Sequence, residues 1–208
     1  AVAGLVSPQI FADKHTTTSD EETNLIRTAY TYFSATGDAA WLRKSINGQS
    51  IITRLNKAMQ WLVVNRTDPG SGLLKRAHTT DWGDVKIERD GAPTDLLPGD
   101  ALAISIYDQA LAYQALTQLA VMNAAAGDVA NGAHYRAAAR DLQSAVEKFL
   151  WVPNPGYYKT HVHITPLPHP FDEDKIVSIA NAHAVYTGLT DKIGPLDRLA
   201  EAMRAMGA

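Results

Sequence analysis

The chain has 208 residues, 46% of them apolar, and a net charge of −3, which suits one large domain or two small ones built on a genuine core. Charges of both signs are scattered, so no basic stripe argues for a nucleic-acid partner. Cysteine is absent, which excludes disulfides, thiolate zinc sites and a cysteine nucleophile.

No apolar run reaches the roughly 20 residues that cross a bilayer. The chain therefore reads as soluble, with no membrane partner, and the compartment stays open between cytoplasmic and periplasmic or secreted. Residues 1–18 begin "AVAGLVSPQI". They lack the basic n-region and long apolar h-region of a signal peptide and read as an extended segment ahead of a helical region, 19–208.

Periodicity predicts helices almost throughout that region. Ser19 and Glu22 have capping-box spacing and open a helix to about Ser34. From Ile51 the apolar positions Ile51, Ile52, Leu55, Met59, Leu62 and Val63 follow the one-sided helical rule. Ile104 to Met122 reads as a third helix. Tyr135, Ala138, Ala139, Leu142, Ala145, Val146, Phe149 and Leu150 mark a fourth, and Ile176–Tyr186 and Leu196–Met206 are shorter ones. Strands are not expected, because "YYKTHVHI" alternates only briefly and ends in prolines.

Connector lengths alternate. "ATGD", "AAGD" and, more loosely, "GLTD" are short. In the first two, glycine ends one helix in the left-handed conformation and aspartate caps the next. Long connectors precede Asp20 and run from Thr67 to Ala103 and from Trp151 to Asp174. The last two open alike, "WLVVNRTDPGSGLLK" and "FLWVPNPGYYK", so the unit is an internal repeat of helix pairs. Short turns make antiparallel neighbours. The long loops then share one end with the N-termini of the helices starting near Ser19, Ile104 and Ile176, whose free N–H groups favour polar ligands.

Each side chain at that end has two readings. In "TTDWGDV", Asp81 and Asp84 either contact a ligand or order the loop through backbone N–H groups. Trp82 is a flat platform for a ligand or a loop anchor. Asp20, Glu21 and Glu22 are site carboxylates or first-turn acids that complement the helix dipole. Tyr107 and Asp108 hold a ligand, or Asp108 is a buried acid paired with a neighbour. His161 and His163 serve as hydrogen-bonding groups or plain surface, because a metal site needs further ligands. His183 and Asn181 read as satisfied core or near-pocket residues. Asp172, Glu173 and Asp174 read mainly as a helix cap, with a second carboxylate as the other reading. No phosphate loop, dinucleotide fingerprint or nucleophile elbow is present, and neither metal nor cofactor is expected.

"SDEETNLIRTAYTYFSATGD", "GLLKRAHTTDWGDV", "ISIYDQALAYQAL" and "IANAHAVYTGLTD" resemble, in order, segments of the six-hairpin glycosidase superfamily. The resemblance covers Ser19 to Asp191. It implies an all-α fold of antiparallel helical hairpins, about half of an α/α toroid, completed by further hairpins of a longer chain or by a second subunit. It implies a glycoside hydrolase region acting on an oligosaccharide or glycoside through two carboxyl groups, one a proton donor and the other a base or nucleophile. In trehalase- and α-glucosidase-like members the donor lies in a short Trp/Gly motif like that of Asp84, whereas a rhamnosidase-like comparison makes the same motif a sugar-holding loop. In phosphorylase-like members an acidic pair opens the helix, which brings forward Asp20 and Glu21. Asp81, Trp82, Tyr107, Asp108, His161 and His163 are then candidates for shaping the sugar site. The alternative is a non-catalytic carbohydrate-binding or scaffold module.

Overall fold

A computed structural model describes residues 20–77, 102–154, 156–165, 179–192 and 194–206. The segment 1–18 lies outside the described residues, as do Asp81, Trp82, Asp84, Asp172, Glu173 and Asp174.

Helix α1 (Glu21–Thr36) ends at Gly37, whose φ of 66° lets its N–H reach the Phe33 carbonyl. Asp38 then caps the short α2 (Ala39–Arg43) by accepting from the Trp41 N–H at 2.9 Å. Strands β1 (Ser45–Ile46) and β2 (Gln49–Ser50) pair antiparallel. Their Asn47-Gly48 turn has φ of 50° and 78°, the positive-φ pair that a two-residue hairpin demands. Ser50 caps α3 (Ile51–Arg66), and Arg54 ties the hairpin down by donating to the Ile46 carbonyl.

After β3 (Lys75–Ala77) and β4 (Leu102–Ser105) comes α4 (Ile106–Ala126). Asp128 caps the antiparallel α5 (Val129–Phe149). Strands β5 (Trp151–Val152), β6 (Tyr157–Tyr158) and β7 (His161–His163) follow, then α6 (Ile179–Tyr186) and α7 (Gly194–Ala205). None of these helices is long and apolar enough to cross a membrane.

The architecture is mixed α/β. The expectation of an all-α half-toroid is overturned by three small antiparallel sheets among the described residues, ordered β1-β2, β3-β4-β7 and β5-β6. The reason is local. Each strand has only two to four residues, too few for alternation to register as a period, and all lie in or beside connectors, with β4 taking Ile104 and Ser105 from the start of the helix expected there. The "YYKTHVHI" stretch, expected to be irregular, supplies β6 and β7.

Helix α4 is the centre of the core. It buries Ala110, Leu111, Ala112, Ala115, Leu116, Leu119, Ala120 and Met122. Its small side chains let α5 come close: a Cβ on Gly132 would sit 3.0 Å from the Ala120 carbonyl oxygen, so only glycine fits there without a shift. Leu55, Met59 and Leu62 of α3 and Ile26 of α1 fill the same cluster.

Candidate functional site

Three helices run the same way at the sheet end. Arg27 of α1 meets Gln114 of α4 at 2.6 Å, while nearer the N-termini Glu22 and Asp108 both act electrostatically on Arg66. The Tyr107 and His183 rings lie 5.1 Å apart, and further along a Cβ on Gly188 would meet Tyr113 at 4.0 Å. Hence α1, α4 and α6 are parallel, and the first turns of α1 and α4 lie beside the β3-β4-β7 sheet.

The sheet sets a register of side chains. Arg76, Ala103 and His163 are cross-strand partners in one row, and Ser105 and His161 are partners two rows on. Partners and next-but-one neighbours share a face, so the small Ala103 and Ser105 lie between Arg76 and the two histidines. The histidine ring centroids are 6.3 Å apart. Ser105 also caps α4, accepting from the Tyr107 N–H at 3.2 Å. One turn in, Arg76 Nε lies 3.6 Å from Asp108 Oδ2, and both side chains are buried.

Glu22 completes this cluster. It is 5% exposed, and its Oε2 has no hydrogen-bond partner among the described residues. Burial holds its carboxyl above the usual range, opposed by a backbone hydrogen bond and by Arg66. Arg66, 1% exposed at the end of α3, is pulled below its ordinary value by burial and held up by Glu22 and Asp108. Two carboxyls and two guanidiniums thus share one desolvated volume.

The α1 first turn differs from the capping-box expectation. Asp20 is the N-cap, and its side chain caps no backbone N–H. Its Oδ2 instead accepts from Asn24 Nδ2 at 2.9 Å. Asp20 and Glu21 are half-buried, and Glu22, ranked behind them by sequence, is the buried one. Tyr107 is half-buried and Asp108 is 3% exposed. His161 is buried and His163 half-buried on β7. Among the described residues no three His, Asp or Glu side chains come together as metal ligands do.

Sequence reasoning missed Arg66 and Arg76. It also missed Gln109, one of two side-chain amides that hold the long connectors to the helices, whereas Asn181, the other, is a satisfied buried residue as expected. Gln109 accepts from the Leu74 N–H at 2.9 Å and donates to its carbonyl at 2.8 Å. Asn181 does the same for Tyr158, at 2.8 and 2.9 Å. Leu74 and Tyr158 are equivalent residues of the repeated "GLLK" and "GYYK", so that repeat has a physical basis. The spacing Ser19–Glu22, Ser105–Asp108 and Ser178–Asn181 gives each parallel helix one buried polar residue at a matching position.

Glu22 makes stability pH-dependent. Its folded value lies above the unfolded one, near 4.3, so between them the native state binds more protons. That contribution is fully present below the unfolded value and is lost as pH rises through the folded one. Glu22→Gln is expected to show a shallower fall in urea midpoint between pH 4 and 8 than the parent chain; parallel curves would show that Glu22 ionises as freely folded as unfolded.

Comparison with family models gives no match for this chain, and comparison with curated proteins gives none either.

Proposed function

We propose that this chain is a glycoside hydrolase region that cleaves a glycosidic bond by carboxylate acid/base catalysis. The supporting observation is the meeting of the first turns of α1 and α4 around Arg66 and Arg76. Glu22 brings a carboxyl oxygen without a hydrogen-bond partner to that place. The motif containing Asp81, Trp82 and Asp84 follows β3 directly in sequence. Asp84 takes the donor role by its resemblance, protonating the leaving oxygen while water adds at the anomeric carbon. The α1 turn, with Asp20 and Glu21 half-buried and Glu22 behind them, supplies the second carboxyl.

The test compares the parent chain with Asp84→Asn on aryl glycosides and on unactivated disaccharides. General acid catalysis contributes about 10²–10⁴-fold. Turnover of the disaccharides is therefore expected to fall at least 100-fold, with a smaller loss on nitrophenyl glycosides, whose leaving group needs no proton. Undiminished disaccharide hydrolysis by the variant overturns the assignment of Asp84.

A non-catalytic carbohydrate-binding module is the second reading. It is favoured by the balance of Arg66 and Arg76 against Glu22 and Asp108, which also describes an ion network serving the fold. Saccharide binding by the parent chain without any turnover selects it.

A further inference from the structure

Helix α6 reads "IANAHAVY" and carries no charged residue. Its inner side buries Ala180, Asn181 and Ala184. Ile179, His183 and Tyr186, at i, i+4 and i+7, share another face, and there Ile179 and Tyr186 are 70% and 73% exposed. An outward helix face normally carries charge; this one carries rings.

Those rings continue onto α4. The His183 ring is 5.1 Å from Tyr107 at 38° and 5.7 Å from Tyr186 at 34°, distances typical of interacting aromatics. His183 Nε2 is buried and has no hydrogen-bond partner among the described residues. A buried ring nitrogen left so is an uncompensated polar group. Burial, and secondarily the Arg27 charge, pushes the imidazole below its ordinary value, toward the neutral form, in which one ring nitrogen donates and the other accepts.

Arg27, whose charge reaches His183, belongs to a chain of planar polar groups. Arg27 donates through Nε to Gln114 at 2.6 Å and through Nη1 to Asn24 at 2.9 Å, and Asn24 donates to Asp20 at 2.9 Å. Arg27, Asn24 and Gln114 are half-buried, and the Arg27 charge is balanced through Asn24 by Asp20. Flat aromatic faces together with pre-ordered planar donors and acceptors, with no surplus charge, match a neutral polyhydroxylated ring. Its C–H face packs on tyrosine while its hydroxyls meet the amides.

We propose that Tyr107, His183 and Tyr186 form a stacking subsite for one pyranose unit of a neutral oligosaccharide, leading from the Asp108 end of α4 along α6. The proposal rests on the glycoside reading above and extends it to residues that no part of that reading uses, His183 and Tyr186. Tyr186 is the platform, and His183 spaces the rings.

Calorimetric titration of the full chain with maltotriose, cellotriose, xylotriose and chitotriose tests it, alongside turnover of nitrophenyl monoglycosides. For whichever trisaccharide binds, Tyr186→Ala is expected to weaken binding about tenfold, or ~1.4 kcal/mol. Tyr186→Phe should stay within about threefold of the parent, because it keeps the ring. Thermal unfolding should be unchanged in both, since the side chain is largely exposed. Equal affinity of the alanine variant and the parent overturns the subsite, as does a loss just as large in Tyr186→Phe. Turnover of monoglycosides without binding of any trisaccharide also overturns the subsite while leaving the glycoside reading intact. Neither turnover nor binding removes both.

Discussion

Asp108→Ala is expected to destabilise the folded chain by about 3–5 kcal/mol, the cost typical of breaking a buried ion pair from one side. The carboxylate is 3% exposed and faces Arg76 Nε at 3.6 Å, with Arg66 in electrostatic reach. Removing it takes away the carboxylate that faces Arg76 and one of the acids whose charge holds Arg66 up, while Glu22, another of them, is itself held toward its neutral form. For a chain of this size the change amounts to a fall in Tm of roughly 6–20 °C, measurable by thermal or urea unfolding. Because the loss comes from stranded charge, Asp108→Leu combined with Arg76→Met should recover much of it. A single-variant loss under about 0.5 kcal/mol would mean that solvent reaches the pair and screens it.

The parts of this fold that are legible in the sequence are those whose signals are long or stereochemically forced. Helices α3, α4 and α5 announce themselves through apolar residues repeated over several turns. Gly37 and Asp38, and again Gly127 and Asp128, mark the turns because only a few residue types take a left-handed end or cap a helix. The sheets are hidden because their pairing is non-local. Nothing near Ala103 says that it lies between Arg76 and His163. The candidate site was legible as a region and obscure in its chemistry. Glu22 cannot be told from Asp20 and Glu21 by type, since all three suit a first turn. Arg66 reads as a last-turn cation complementing a helix dipole. Only tertiary burial separates the roles, and burial of a charge overrides the surface logic that sequence reasoning applies to it.

The amide clamps show how the repeated unit holds its loops, and they carry the second large effect. Gln109→Leu is expected to cost about 2–5 kcal/mol. The residue is fully buried, and its side chain satisfies both the N–H and the carbonyl of Leu74. Each orphaned buried backbone group costs about 1–3 kcal/mol, and leucine restores neither while having to fit a cavity shaped for an amide. Glutamate is no remedy, since it keeps an acceptor for the N–H but gives up the donor and buries a charge. Asn181→Leu should behave alike, because Asn181 holds Tyr158 by the same pair of bonds. The two losses, read from urea midpoints, should be of similar size, and the double variant should show near additivity because the clamps share no partner. The functional consequence follows from position. Leu74 immediately precedes β3, so a loosened clamp frees the strand that carries Arg76 toward Asp108. Gln109→Leu should therefore depress any saccharide turnover more than Asn181→Leu does at equal stability. Equal activity in the two variants would place the catalytic groups away from β3.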